Sequence, residues 1–422
     1  MILEVRLSNF YSIKDELELD LTAGSIKTKK AKALSSNIFS INEIDVLKSV
    51  AIYGANASGK SNIIKAIRFC CLMILNSHNH NENVSFNYKP YKFGGQTTPS
   101  NFFISFISEG IEYEYSFSIL KNEILEEKLF YFPKGRRAKV FTRNEKLGFD
   151  KKAVYSFGQG VITKPMDVAL NTSKKTLFLS RASQMDREIP KALFNYFNKS
   201  FMLGYVNMSN EQVIGLFKSY KKEILQALRI ADSDIVDITY QTEKAKAYKV
   251  DFKVEANQPP SASADLEDVE HLKFLTFHRY SPKVPFDMET EESEGTKKLF
   301  NILLTVLDVI RNNKSMLIDE IETHLHYRIV HFIIDLFHKS DRSQLIFTTH
   351  NTKLLDMDLF RRDQICFVNK NGKGTSSLAS LYDYKDYREN MDAEKGYLQG
   401  RFDGTPIIDD SLTEINKLIH GE

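Results

Sequence analysis

The chain has 422 residues, with 57 Lys and Arg against 55 Asp and Glu, for a formal net charge of +2. Hydrophobic residues make up 42% and charged residues 27%, which allows a large core in two or three structural units and excludes wholesale disorder. The near-neutral balance gives no general affinity for nucleic acid, so such a contact needs a local basic face. Three cysteines, two of them adjacent at Cys70 and Cys71, make no disulfide framework and read as thiols of a reducing cytosol.

The opening MILEVRLSNF alternates apolar and polar residues, which is a strand pattern rather than an export signal. The longest apolar run, Phe69 to Leu75, is too short to cross a bilayer, so a cytoplasmic location without a membrane partner is expected. Strands at ELELDLTAG and LKSVAIYG precede a helix predicted from Lys60 to about Asn76, where Ile63, Ile67, Cys70 and Ile74 share one face. NSHNHNENVS reads as a polar loop; His78 and His80 have no further ligands around them in sequence.

From Phe93 to about Thr163 the pattern is aromatic and strand-like, predicting antiparallel hairpins with KGRRAK at a solvated tip. Lys174 to about Ala231 turns helical, and strands return at DIVDITYQ and AYKVDFKVE. Ala256 to Asp265 reads as a turn-rich surface loop. From about Leu272 strands and helices alternate: LKFLTFHRY, the helix TKKLFNILLTVLDVIRNN, the strand SMLID, the helix YRIVHFIIDLFHKS and the strand QLIFTTH. The division expected is 1–92, an inserted hairpin and helical region at 93–270, and a C-terminal part at 271–422.

GANASGKS, Gly54 to Ser61, matches G-x-x-x-x-G-K-S between an apolar strand and a helix. Gly54 and Gly59 let the backbone curl so that N–H groups over Asn56, Ala57, Ser58 and onward to Asn62 can meet phosphate oxygens. Lys60 brings positive charge to the β- and γ-phosphates, Ser61 a hydroxyl for Mg²⁺, and the helix N-terminus its partial charge. SMLIDE, Ser315 to Glu320, is an apolar strand ending in two acids: Asp319 is placed to hold Mg²⁺ and Glu320 to polarise an attacking water. QLIFTTHN puts His350 at another strand end, within reach of a γ-phosphate. The ligand implied is ATP with Mg²⁺. In EESEGTKKLF, Ser293 and Gly295 form a small, hydroxyl-bearing turn that opens a predicted helix, a stretch that means little taken alone.

The order of these pieces resembles the ABC-type ATPases, and is similar to the branch containing RecF, the overcoming-lysogenization-defect proteins and the structural-maintenance-of-chromosomes proteins. NFYSIKDE, IDEIETHLH, IFTTHNTKLLD, RRDQICFV and YLQGRFDGTPII narrow the likeness to compact ATPases of bacterial defence and abortive-infection loci, of the RloA and AbiL kind. The resemblance implies an α/β fold, an ABC-type P-loop ATPase head of mixed sheet and flanking helices with an inserted β-hairpin and helical region. It also implies that Ser293 and Gly295 touch the γ-phosphate held by a second subunit, hence a homodimer or higher even oligomer. The function expected is an ATP-binding and hydrolysing switch acting with a separate effector such as a nuclease.

The chain departs from the pattern in places. The signature turn reads Ser-Glu-Gly-Thr, the following loop carries Glu322 and His326, and the glutamine that would complete the Mg²⁺ shell is not evident, with Gln96 the one candidate in its vicinity. His326 reads equally as an interface residue or a helix cap. A nuclease built into the chain is disfavoured, because the segment after His350 is short and RRDQICFVNKNGKGTSSLASLYDY lacks the expected D-x-D. A DNA-repair ATPase of the RecF or SMC kind is the alternative. Its basic surface would rest on KTKKAK and KGRRAK, so DNA stays open as a partner.

Overall fold

The computed structural model describes residues 1–148, 150–202, 208–231, 233–253, 261–388, 391–402, 404–405 and 411–421. The chain forms two compact units, one comprising 1–204, 309–323 and 330–422, the other 205–308 and 324–329.

The first unit is built on a six-stranded sheet in the order Phe201–Met202, Ser315–Ile318, Gln344–Thr348, Ser49–Tyr53, Ile365–Lys370 and Ser376–Ser380. All neighbours are parallel except the last pair. Every residue of Ser49–Tyr53, Ser315–Ile318 and Gln344–Thr348 is buried, the reason these strands read as continuous apolar runs rather than alternations. The helix Lys60–Asn76 follows the first of them, with Ile63, Ile67, Cys70 and Ile74 in the core as their spacing predicts. The C-terminal ends of three adjacent parallel strands therefore open into residues 54–61, 319–320 and 349–350, the edge where such sheets gather ligands.

A seven-stranded antiparallel sheet completes this unit, in the order Tyr155–Phe157, Ala138–Asn144, Glu123–Tyr131, Ile111–Leu120, Ser100–Ser108, Ile2–Ser8 and Leu17–Asp20. The hairpins expected near 93–163 are present, and they pair with the N-terminal strand along Ile2–Ser8. They thus belong to the first unit, so residues 93–270 do not form one body: the ladder from Ile2 to Phe106 ties hairpins and N-terminus together. Helices Phe178–Gln184 and Glu188–Ser200 lie in this unit. The buried Glu127 carboxylate takes the N–H groups of Phe178 at 2.6 Å and Leu179 at 3.0 Å, anchoring a helix start to the sheet. His78 and His80 are absorbed locally, against Ser180 Oγ and the Lys175 carbonyl at 3.1 Å each.

The second unit holds the helix Asn210–Ile230, opened by a capping box of Ser209 and Gln212, and a long antiparallel ribbon of Ile235–Lys253 against Ser261–His278, with Ser281–Asp287 as third strand. The surface loop expected at Ala256–Asp265 is corrected in part. Ser261–Asp265 are strand, paired with Lys249–Lys253, because the long ladder carries extended backbone past the small polar residues; residues 256–260 lie outside the described residues. Phe217, Phe274 and Phe300 meet edge to face at 4.9–6.1 Å, joining helix, ribbon and the first turns of the helix Glu294–Arg311. Among the described residues no helix is long and apolar enough to cross a membrane.

Candidate functional site

The loop between Tyr53 and Lys60 turns back over the end of its strand. Gly54 is hemmed in: an added Cβ would lie 2.5 Å from the Val368 carbonyl oxygen and 2.6 Å from Ser58 Oγ. Gly59, at φ +113°, is in a region that L side chains avoid, and its Cβ would fall 2.4 Å from Ser376 Oγ and 2.6 Å from Ser12 Oγ. Asn56 and Ala57 are exposed at the crest, Ala57 with φ +61°, while Ser58 is buried.

Lys60 is buried at the helix start, and its ammonium donates to the carbonyls of Gly54 at 2.8 Å and Ala55 at 3.0 Å. That holds the side chain curled over the loop it belongs to. Burial lowers its pKa, against the pull of Glu320, Asp319 and Glu322. His350 Nδ1 stands 3.5 Å from Lys60 Nζ. Partial burial, and after it the Lys60 ammonium, keep the imidazole below the usual histidine range, which favours a neutral ring able to accept or donate a hydrogen bond.

Ser61 Oγ donates to Asp319 Oδ1 at 3.0 Å, bringing together the two oxygens expected to hold a cation, 258 positions apart in the chain. A hydroxyl and a carboxylate so placed are the hard oxygen donors that Mg²⁺ prefers. Glu320 is exposed beside them at φ +50°, a conformation uncommon outside glycine and frequent at functional sites. Its backbone N–H donates to Thr348 Oγ1 at 2.7 Å. The carboxylate of Glu322 accepts the His350 N–H, so the turn after the acidic strand is stitched to the turn after the next strand. Among the described residues the other Glu322 oxygen and the Tyr53 hydroxyl are buried without hydrogen-bond partners.

Gln96 sits exposed in the short turn Gly95–Thr97 and donates to the Lys92 carbonyl of its own loop at 3.0 Å; no bond from it reaches Ser61 or Asp319. Asn62 donates to Ser12 Oγ at 2.8 Å, so its side chain braces the loop from behind.

Ser293 and Gly295 belong to the second unit. There Ser293 Oγ accepts the N–H of Thr296 at 3.1 Å, capping the helix Glu294–Arg311, and is itself exposed. A Cβ on Gly295 would lie 3.1 Å from the His324 carbonyl oxygen. Glu292, just before the cap, accepts from Thr276 Oγ1 and lies 2.8 Å from His278 Nε2, whose Nδ1 is 2.8 Å from Asp234. His326 Nδ1 accepts from the Arg328 N–H at 3.3 Å, the capping alternative of the two open in sequence.

Sequence reasoning passed over the supports. Ser376 Oγ donates to the Ser58 carbonyl and bonds Ser12 Oγ at 2.7 Å, so two serines from opposite ends of the chain underpin the loop. Gly404, at φ +68°, packs beside Gly54 on the same carbonyl: its Cβ would lie 3.0 Å from the Val368 carbonyl oxygen and at ordinary contact, 3.5 Å, from Gly54 Cα. Ser12 and Gly404 fall within NFYSIKDE and YLQGRFDGTPII, the stretches whose roles the resemblance left unstated.

Residues 49–356 match the family described as "AAA domain, putative AbiEii toxin, Type IV TA system". No curated protein sequence matches the chain. Among solved structures, the SMC head bound to the C-winged helix domain of ScpA is 19% identical over 90% of this chain and 97% of that one, with a TM-score of 0.38. The SMC head domain from Thermotoga maritima is 13% identical over 90% and 98%, with a TM-score of 0.39. The family match takes in the loop at 54–61, the acids at 319–320 and His350, and since it spans well over half of the sequence, the chain belongs to this family of AAA domains.

Proposed function

We propose that the protein is an ATP-binding and hydrolysing switch that works as a dimer. The observation that carries the reading is the meeting of Ser61 with Asp319 at 3.0 Å and of Lys60 with His350 at 3.5 Å, which unites three motifs far apart in sequence at one sheet edge. Gly54 to Asn62 would cradle the phosphates, with Lys60 leaving the loop carbonyls for the anionic oxygens. Ser61 and Asp319 would hold Mg²⁺, which when bound neutralises charge on the terminal phosphates. Glu320, free at the mouth of the site, is the group to take a proton from water, and His350 the one to hydrogen-bond the terminal phosphate. Ser293 and Gly295 would complete the pocket of a second copy, the helix start supplying N–H groups to the γ-phosphate.

The family description supports a role in an abortive-infection or toxin–antitoxin locus; within it, we propose that the chain is the sensor or regulator of a separate effector such as a nuclease. A DNA-binding role of the RecF or SMC kind gains no specific support: of the two basic clusters, KGRRAK has Arg137 engaged by Glu114 at 2.7 Å and stacked on Phe130, and KTKKAK has Lys30 paired with Asp358 at 2.9 Å.

Mixing tests the dimer. Lys60→Ala and Ser293→Arg should each lack ATPase activity, Ser293→Arg still binding ATP as an isolated subunit, and the mixture should recover activity from one intact pocket per heterodimer. Mixtures that form heterodimers and stay inactive would refute the shared pocket.

A further inference from the structure

We propose that Thr348 is the positioning residue that locks Glu320 to Asp319, so that the general base is in place only where the cation-side carboxylate is; the proposal rests on the hydrolytic reading above. Thr348 is fully buried at the end of the strand Gln344–Thr348. Its hydroxyl is used in both senses: the proton goes to Asp319 Oδ1 at 2.6 Å, and the oxygen accepts the Glu320 N–H at 2.7 Å. The register sets this up, because Ile318, the last residue of its strand, pairs with Phe347, so Asp319 just beyond the strand end comes level with Thr348, the last residue of the next. The Thr348 carbonyl also takes the Ile321 N–H at 3.2 Å, so one residue holds three successive positions of the acidic turn.

Physical chemistry makes the two bonds of the hydroxyl cooperative. Donating to a carboxylate polarises the oxygen and strengthens it as an acceptor for Glu320. Glu320 needs the tie, since φ +50° is unfavourable for a residue with a Cβ and persists where surroundings enforce it. Ser61 donates to the same Asp319 oxygen, but Ser61 is the residue proposed to turn to the cation; Thr348 is the buried donor with no such second task. A fold-only role at this site would be served by valine, which fills the same space between Phe347 and Thr349 and suits a fully buried strand.

Three full-length variants decide it. Thr348→Val removes both side-chain bonds at nearly constant shape, and Thr348→Ser keeps them. Binding of a fluorescent ATP analogue is titrated with Mg²⁺, and hydrolysis is measured at steady state. In EDTA the variants should bind nucleotide like wild type. Thr348→Val should need roughly tenfold more Mg²⁺ for tight binding and lose roughly 10- to 100-fold in kcat with KM little changed, as losses of residues behind metal ligands do. Thr348→Ser should return both readouts to within a few-fold of wild type. Should the valine variant melt early, Thr348→Ala makes the same comparison. A valine or alanine variant with wild-type Mg²⁺ midpoint and kcat overturns the proposal, as does a serine variant as impaired as valine. Wild-type protein that binds no Mg²⁺-ATP overturns the reading of the site, and the proposal with it.

Discussion

Replacing Gly59 by alanine puts a methyl group where the structure has two serine hydroxyls, at 2.4 Å from Ser376 Oγ and 2.6 Å from Ser12 Oγ. Neither hydroxyl can swing aside freely. Ser376 Oγ is spent on the Ser58 carbonyl and on Ser12, and Ser12 Oγ receives Asn62 Nδ2. Clearing the methyl forfeits these three bonds, at about 1 kcal/mol each. An L residue held at φ +113° adds about 1–2 kcal/mol. The loop is thus disfavoured in its observed form by roughly 4–5 kcal/mol, and it will relax elsewhere rather than bear that cost. Apparent nucleotide affinity falls with the population of the competent loop, so Gly59→Ala should bind ATP about a thousandfold more weakly by calorimetry. A double-variant background separates the causes: added to Ser12→Ala with Ser376→Ala, the same change should cost roughly tenfold, the backbone part together with the remaining 3.1 Å approach to the Cβ of residue 376. Gly59→Ala that binds ATP as wild type does, with an unchanged melting temperature, would refute the reasoning.

Glu320→Gln should keep ATP binding, lose about 10²- to 10⁴-fold in hydrolysis and accumulate as a dimer on gel filtration with Mg²⁺-ATP; wild-type turnover would move the base to another residue. His278 is held between Asp234 and Glu292, and although burial opposes its charge, the hydrogen bonds to both carboxylates leave its pKa raised above 6.5. The folded state therefore binds this proton more tightly than the unfolded one, and its stabilisation is full below pH 6.5 and lost as pH climbs through the raised value. Melting temperatures followed upward from pH 6 should fall more in wild type than in His278→Gln; parallel curves would sink the idea. Arg143 is fully buried with Glu127 at 3.7 Å and Glu145 at 2.7 Å, and it donates to the carbonyls of Thr176 and Ser173. Arg143→Met should cost about 3–5 kcal/mol by stranding those carboxylates, seen as a melting temperature lower by roughly 5–10 °C. A variant that melts with wild type would show that the pair relaxes instead.

What could be read from sequence was what contiguous residues encode. A buried parallel strand is largely apolar and stops where polar residues begin, so SVAIYG, SMLIDE and QLIFTTH each announce a strand and mark where the candidate site would start. The helix at Lys60–Asn76 is legible for the same reason, its core residues recurring at helical spacing. Alternation identified the hairpins between Ser100 and Phe157 but not their partner, because a strand pattern states which face is buried and not which edge it joins. The loop expected at Ala256–Asp265 failed at Ser261 because small polar residues, read locally, signal a turn, while here a long ladder holds them extended.

The loop's supports were illegible for a different reason, and it bears on how the site works. Ser12 and Gly404 are single residues in irregular segments and Ser376 opens a short edge strand, with no period and no composition to mark them. Their meaning arises only when a turn near the N-terminus, an edge strand and a C-terminal turn arrive at the same loop. Such a loop is not autonomous. Its Gly59 side is walled by the serine pair, its Gly54 side by Val368 and Gly404, so a loop that shifts to receive phosphates must push on segments that are far apart in the chain. Thr348 does the same on the opposite wall, tying the acids of one strand to the end of the next. The strands supply the chemistry, and these few long-range contacts set its geometry. It follows that Gly404→Ala, far from the loop in sequence, should weaken ATP binding by pressing to 3.0 Å on the Val368 carbonyl oxygen that also walls Gly54, whereas alanine at the equally left-handed but open Gly400, with nothing within 4 Å of its Cβ, should not.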